Sequence, residues 1–243
     1  MARNFPTAGN KFISGTLTTA MNTAGTIALW VNPSWSAGDG LSHAFCSWGG
    51  DFITTRILEF QRRPDNKIYV GWNKAGGPDE RISLVDTGYF TSGTWDHHAF
   101  TYTTTQCDYW FNGVSQISSI TASTSSATTS LFIGKMNNII SVYAADSSIA
   151  EVARWDNVLL ADEIVSLAKG YSPALINPAQ LVDYIPIIGR FDPEINLLDA
   201  NTLALTNAPP NDVHPRMIYA RRRREPFTPQ SRIQYVLLGQ ALL

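Results

Sequence analysis

The side chains best suited to chemistry in this sequence are scattered acids, one histidine pair and a basic run. Their spacing argues against catalysis. Glu59, Glu80, Glu151 and Glu163 stand apart, whereas retaining glycoside hydrolysis needs two carboxylates held close together, one as nucleophile and one as acid. No E-x-D-x-x-E strand occurs, and no G-x-S-x-G, P-loop or nucleotide fingerprint. His97 and His98 are neighbours, so in an extended strand their rings point to opposite faces and cannot bind one ion from one side. The reading is therefore of a protein that is not an enzyme.

Two other sets of residues suggest binding. Trp35, Trp48, Trp72 and Tyr89 fall in or beside loops, where flat rings could stack on the apolar faces of sugars. Trp35, Trp72 and Tyr89 are taken as the glycan candidates, against the common alternative that such rings belong to the core. The second set is basic. From Arg216 to Arg232 the chain holds six arginines and one glutamate, which leaves the other residues at a net charge of −7. Arg216 and the run Arg221, Arg222, Arg223 and Arg224 could meet phosphates. No base-reading motif accompanies them, so the expectation is a partner-facing arm rather than specific nucleic-acid recognition. The apolar stretch that includes Tyr235 and Leu237 could add a strand to a sheet edge of a partner.

These residues need elements to position them. Strand-like runs at 26–32, 42–48, 53–61, 67–73 and 81–86 are separated by turn residues. In 26–32, Ile27, Leu29 and Val31 share one face and Trp30 the other; in 95–102, His98, Phe100 and Tyr102 oppose Trp95, His97, Ala99 and Thr101. Asn112-Gly113 reads as a hairpin turn, because both residues tolerate positive φ. After Trp155 the period changes: Leu160, Ile164, Leu167 and Ala168 form a helical stripe, with acids in the first turn and Gly170 at the end, so one short helix is expected near 161–169. The Ser/Thr-rich stretch 115–130 reads as a loop. Beyond Ser172, prolines at 173, 178, 186, 193, 209, 210, 215, 226 and 229 argue against a second compact sheet, although Leu181, Tyr184, Ile185 and Leu203 must pack on something. Cys46 and Cys107 read as buried thiols, with a disulfide left open.

The order W-D-H-H-A-F-T-Y (95–102), D-Y-W-F-N-G-V (108–114), L-F-I-G (131–134) and I-A-E-V-A-R-W-D-N-V-L-L-A-D-E-I (149–164), preceded by T-I-A-L-W-V-N-P, resembles a laminin-G-like or pentraxin-like jelly roll of the concanavalin A-like lectin type. The resemblance covers about residues 10–170 and departs from the family at Ala150 and His98. It implies an all-β fold of two antiparallel sheets in a jelly-roll sandwich, residues 1–170, followed by an extended Pro-rich basic arm, 171–243. Relatives also imply calcium as a candidate ligand at one sandwich rim; Asp51, Asn137, Asn138 and Asp146 are the residues available for it. Ordinary loop polarity is the competing account.

L-V-D-Y-I-P-I-I-G-R followed by H-P-R-M-I-Y-A-R-R-R-R is similar to laminin-G-like proteins of tailed bacteriophages and prophages. That similarity implies a virion structural protein, a capsid decoration or a tail- or fibre-associated module, whose arm docks on other virion proteins. Apolar arm segments also suggest a homo-oligomer. The alternative is an adhesin for a host surface glycan. The first residues lack the apolar stretch of a secretory signal, and no run reaches the roughly 20 apolar residues of a membrane span. Assembly in the host cytoplasm, without membrane insertion, is the expectation.

Overall fold

Strands form wherever the alternating pattern lets apolar side chains share a core. The computed structural model describes residues 2–6, 10–17, 20–49, 57–73, 80–119, 129–136, 144–189, 193–199 and 201–219. The chain runs through β1 (Ala2–Phe5), β2 (Phe12–Thr16), β3 (Gly25–Pro33), β4 (His43–Gly49), β5 (Ile57–Arg62), β6 (Lys67–Asn73) and β7 (Glu80–Val85). It continues with β8 (Asp96–Tyr102), β9 (Cys107–Phe111), β10 (Val114–Ser119), β11 (Ser130–Ile133) and β12 (Ser147–Trp155), and then the helix α1 (Ala161–Ala168). A 3-10 turn at Pro173–Leu175 leads to β13 (Leu181–Ile185), β14 (Glu194–Ile195), β15 (Thr202–Thr206) and β16 (Asn211–Asp212).

One antiparallel sheet has the order β10-β9-β8-β3-β12-β1-β16, with β13 also paired to β12. The other has the order β14-β15-β2-β11-β4-β5-β6-β7. This is the expected two-sheet sandwich. Its core lies between the inner faces, where Ile27, Leu29 and Val31 of β3 meet Trp48, Leu58, Phe60, Val70, Trp72 and Phe100. Period-2 alternation sends the neighbours of these residues outward. On the outside of the first sheet, Ala28, Ala99, Ala153 and Trp155 form a second cluster with Ile164 and Leu167 of α1. Small side chains on the strands let the helix approach. Leu160, by contrast, is the exposed N-cap position of α1 rather than part of its buried stripe.

His98 takes an inward position, where its Nδ1 lies 2.7 Å from the Tyr109 hydroxyl and its ring stacks on Phe90 at 4.7 Å. The hairpin forms as expected, with φ of 47° at Asn112 and 81° at Gly113. Asn112 also accepts a hydrogen bond from the His97 N–H at 2.8 Å and donates one to Asp96 at 2.8 Å. A side chain on Gly113 would crowd Val165 and Ala168 of α1, so the turn is fitted to the helix above it. Cys46 and Cys107 are buried and free, and burial pushes the Cys107 thiol up to about 12.

Two expectations need correction. The stretch 115–130 begins as a strand: β10 pairs with β9 as far as Ser119↔Cys107, because the adjacent ladder overrides the weak strand preference of Ser and Gln. Nor is residue 170 the end of the sandwich. Val152↔Ile185 and Ala153↔Tyr184 place β13 in the first sheet, Leu205↔Ile13 places β15 in the second, and Ala2↔Asp212 places β16 beside β1. The prolines lie outside these strands, at 173, 178, 186, 193, 209, 210 and 215. They shorten the added strands without removing a ladder donor. Of the expected arm, residues 220–243 lie outside the described residues.

Candidate functional site

The segment after α1 is fastened through a buried acid. Glu151 sits at an irregularity in the β12–β3 pairing, between Ala150 and Ala153, with φ of 55°. This kink in a strand that otherwise packs on both faces re-aims the side chain. The Tyr184 hydroxyl donates to Glu151 Oε2 at 2.6 Å and the Tyr219 hydroxyl donates to Oε1 at 3.1 Å. His214 Nε2 lies 3.0 Å from Oε1. Burial, reinforced by the Glu151 charge, pushes both phenols upward, so they stay protonated as donors. With that proton committed, Ser172 Oγ donates to the Tyr184 oxygen at 3.1 Å.

The same segment is stitched by its backbone. Tyr171 and Ile218 form a parallel bridge; the Ile218 N–H donates to Gly170 O at 2.6 Å and the Ser172 N–H to Ile218 O at 2.9 Å. Tyr171, Ile218 and Tyr219 remain partly exposed there, beside exposed Arg216. The basic run starts at Arg221, two residues beyond Tyr219. Replacing Glu151 with Ala removes the acceptor shared by two phenols and an imidazole, and should cost about 3 kcal/mol. The expected readout is a lower denaturant midpoint and faster tryptic cleavage at Arg216.

Other buried ions hold the added strands. Arg154 Nε lies 2.5 Å from Asp183, which also accepts from Asn196 at 2.9 Å. Arg3 Nε lies 2.8 Å from Glu194, and Arg3 also donates to Pro209 O at 2.9 Å. Ser148 donates to the Asp212 carboxylate. A third group lies at one end of the sandwich, where Asp39 takes Arg62 at 2.5 Å and His43 at 2.7 Å. Burial opposes the Asp39 charge, but the Leu41 N–H, His43 and Arg62 outweigh it and hold the carboxyl below its ordinary value.

The sequence candidates separate in the structure. Trp35 and Trp72 are corrected to core residues: they are 6% and 1% exposed, which leaves no ring face for a sugar. Trp35 stacks on His43 at 3.8 Å, lies under Arg62, and donates its indole N–H to Ala145 O at 3.1 Å. Trp72 is set edge-on to Tyr102. Tyr89 is half-buried, edge-on to Tyr109 and Phe111, and donates to Gln116 at 3.0 Å. The three rings therefore make no common platform. Of the calcium candidates, Asp146 has φ of 46° and its carbonyl accepts from Ser34 Oγ at 2.7 Å. Asp51, Asn137 and Asn138 lie outside the described residues, as do Arg221, Arg222, Arg223, Arg224, Tyr235 and Leu237. Among the described residues, no group of three or more His, Cys, Asp or Glu is placed to hold a metal.

A polar cluster that the sequence reading left unassembled lies on the outer face of β5–β7. Glu59, Gly71 and Arg81 stand in register across the three strands, and Gln61, Tyr69 and Ser83 form the adjacent row. Arg81 passes over Gly71 to reach Glu59 at 2.6 Å. Gln61 donates to the same carboxylate at 2.7 Å. The guanidinium carbons of Arg63 and Arg81 lie 4.6 and 4.8 Å from the Tyr69 ring centroid, and the Tyr69 hydroxyl donates to Asp65 at 2.7 Å. Alternation in I-L-E-F-Q-R and K-I-Y-V-G-W-N carried the signal for the face. The strand pairing that joins it came only with the fold.

The profile of the Concanavalin A-like lectin/glucanases superfamily matches residues 7–165. No curated protein is significantly similar in sequence. Among solved structures, a putative carbohydrate binding protein from Bacteroides ovatus is 14% identical, with a TM-score of 0.59 over 85% of this chain and 58% of that one. A heptameric SAP-like pentraxin from Limulus polyphemus is 14% identical, with a TM-score of 0.53 over 68% of this chain and 80% of that one. Tailspike protein 2 from the Escherichia coli O157:H7 bacteriophage CAB120 is 17% identical, with a TM-score of 0.53 over 76% of this chain and 26% of that one. At these identities the likenesses bear on the fold, which agrees with the sheet order and with the profile. The chain belongs to the Concanavalin A-like lectin/glucanases superfamily.

Proposed function

We propose that this chain is a non-enzymatic, lectin-like binding module of a bacteriophage or prophage particle, docked on other virion proteins by the residues beyond Tyr219. The observation that carries the reading is the Glu151 latch. Tyr184, His214 and Tyr219 hold the chain against the sandwich as far as Tyr219, two residues before the arginine run in sequence. The phage tailspike shares the fold over part of its length. Several acids are already engaged: Glu59, Asp183 and Glu194 pair with arginines, and Glu163 caps α1 by accepting from the Leu160 N–H at 2.8 Å. That engagement favours binding over hydrolysis.

Deleting residues 220–243 tests the anchor, since it leaves Tyr184, His214 and Tyr219 in place around Glu151. The shortened chain should melt with the full-length protein, yet disappear from purified particles of the phage or prophage that encodes it. Undiminished incorporation would overturn the anchor. Docking through arginines should also weaken as salt rises, because screening lengths fall from about 10 Å at 0.1 M to about 3 Å at 1 M.

A glycan-binding adhesin is the second reading, favoured by the shared fold of the putative carbohydrate binding protein. The two are compatible, because a module fixed to a particle can also touch a cell-surface polysaccharide. Glycan arrays with and without chelator test that reading and the calcium candidate together.

A further inference from the structure

We infer that the outer face of β5–β7 binds an anionic saccharide, one bearing carboxylate or phosphate groups, with Arg63 as the principal contact. The inference rests on the reading of the chain as a binding module and names the ligand class. The residues form a built cluster rather than a chance surface patch. Glu59 is 0% exposed and Arg81 is 7% exposed at the side chain, and their 2.6 Å ion pair crosses Gly71. Arg63 is 33% exposed at the side chain and stands 3.8 Å from Glu59, a much looser pair. Arg81 thus offsets the buried acid, while Arg63 keeps donors for a ligand.

Tyr69 explains the orientation. Both guanidinium groups lie within 5 Å of its ring centroid, and stacking of this kind fixes the plane of an arginine fork. A ring occupied by cations is a poor platform for a sugar face. A held fork instead suits bidentate contact with a carboxylate or phosphate. Lys67 lies two residues from Tyr69 on the same strand face, so among the described side chains Arg63, Lys67 and Arg81 stand with Glu59 and Asp65 as the acids of the cluster. The saccharide part of the inference comes from Ser83, which is exposed and paired opposite Tyr69, so that its hydroxyl stands in the row beside the guanidinium fork. Gln61, 0% exposed, donates to Glu59 and holds the acid in place beneath the face rather than meeting the ligand.

Calorimetric titration of the full chain with polygalacturonate, poly(glycerol phosphate) and neutral dextran tests this. One or both anionic polymers should bind and dextran should not; which of the two binds assigns carboxylate or phosphate. Arg63→Gln should weaken that binding about tenfold to hundredfold. Arg63→Lys should restore little of it, because an ammonium lacks the fork. The quadruple change R221Q/R222Q/R223Q/R224Q removes what the basic run adds to polyanion binding, and Arg63→Gln should weaken the remaining binding by the same factor in that background. No binding of either anionic polymer, equal binding of dextran, unchanged affinity in R63Q, or loss of binding in the quadruple variant would each overturn the inference. Particle incorporation of R63Q should match wild type, so failure at this face is distinguishable from failure of the anchor.

Discussion

A chain ending at Gly170 should not hold a native sandwich, whereas a chain ending at Tyr219 should melt with the full-length protein. The first truncation removes Leu181, Tyr184, Ile185, Ile187 and Leu203, all 8% exposed or less. At roughly 1.5–3 kcal/mol for each buried apolar side chain, their loss is on the order of 10 kcal/mol. Whole domains have only about 5–15 kcal/mol of stability. The same cut takes Asp183 from Arg154, Glu194 from Arg3, and Tyr184, His214 and Tyr219 from Glu151. It also bares β12 and β2, the strands that β13 and β15 cover. Circular dichroism melts of the two truncations decide the matter: a cooperative, native-like transition for the chain ending at Gly170 would show that the added strands are accessory.

Acid should destabilise the fold steeply below about pH 6.5, with His97 as a principal cause. Burial pushes this imidazole from 6.5 down to about 3, and burial drives His98 in the same direction, with the His97 charge adding to it. Between those two pH values the unfolded chain takes up a proton that native His97 refuses. The unfolded state therefore binds more protons, and stability falls as pH falls through that window. For His97 alone the loss approaches about 4–5 kcal/mol at the acid end. Above pH 6.5 the group contributes no slope. Urea midpoints measured from pH 7.5 to pH 4 should fall sharply for the wild type and less for His97→Leu, which has no proton to take up. Parallel curves for the two proteins would refute the assignment.

The anchor deletion and the Arg63 variants address different surfaces. The proposed anchor lies in residues 220–243, and the proposed ligand face lies on β5–β7. The Glu151 latch holds the described chain to the sandwich as far as Tyr219. A protein with an intact latch and a neutral Arg63 should still assemble.

Local rules carried much of the architecture in the sequence. Period-2 alternation placed Ile27, Leu29 and Val31 in the core, Asn112-Gly113 marked its turn through positive φ, and the change of period after Trp155 announced α1. Such features depend on a few neighbouring residues, so a linear reading can recover them. What residues 171–219 do was decided by tertiary structure alone. Their prolines looked like the end of ordered sheet, yet the strands between them are too short to fold by themselves and form only because β1, β2 and β12 offer open edges. The same holds for the sites. Whether Trp35 or Trp72 meets solvent depends on what packs against it, and Glu59, Tyr69 and Arg81 become neighbours only through pairing across three strands. The sequence by itself determined the strand faces, the hairpin and the helix, which are local; the reach of the sandwich and the clustering of its charges are long-range, and only packing settles them.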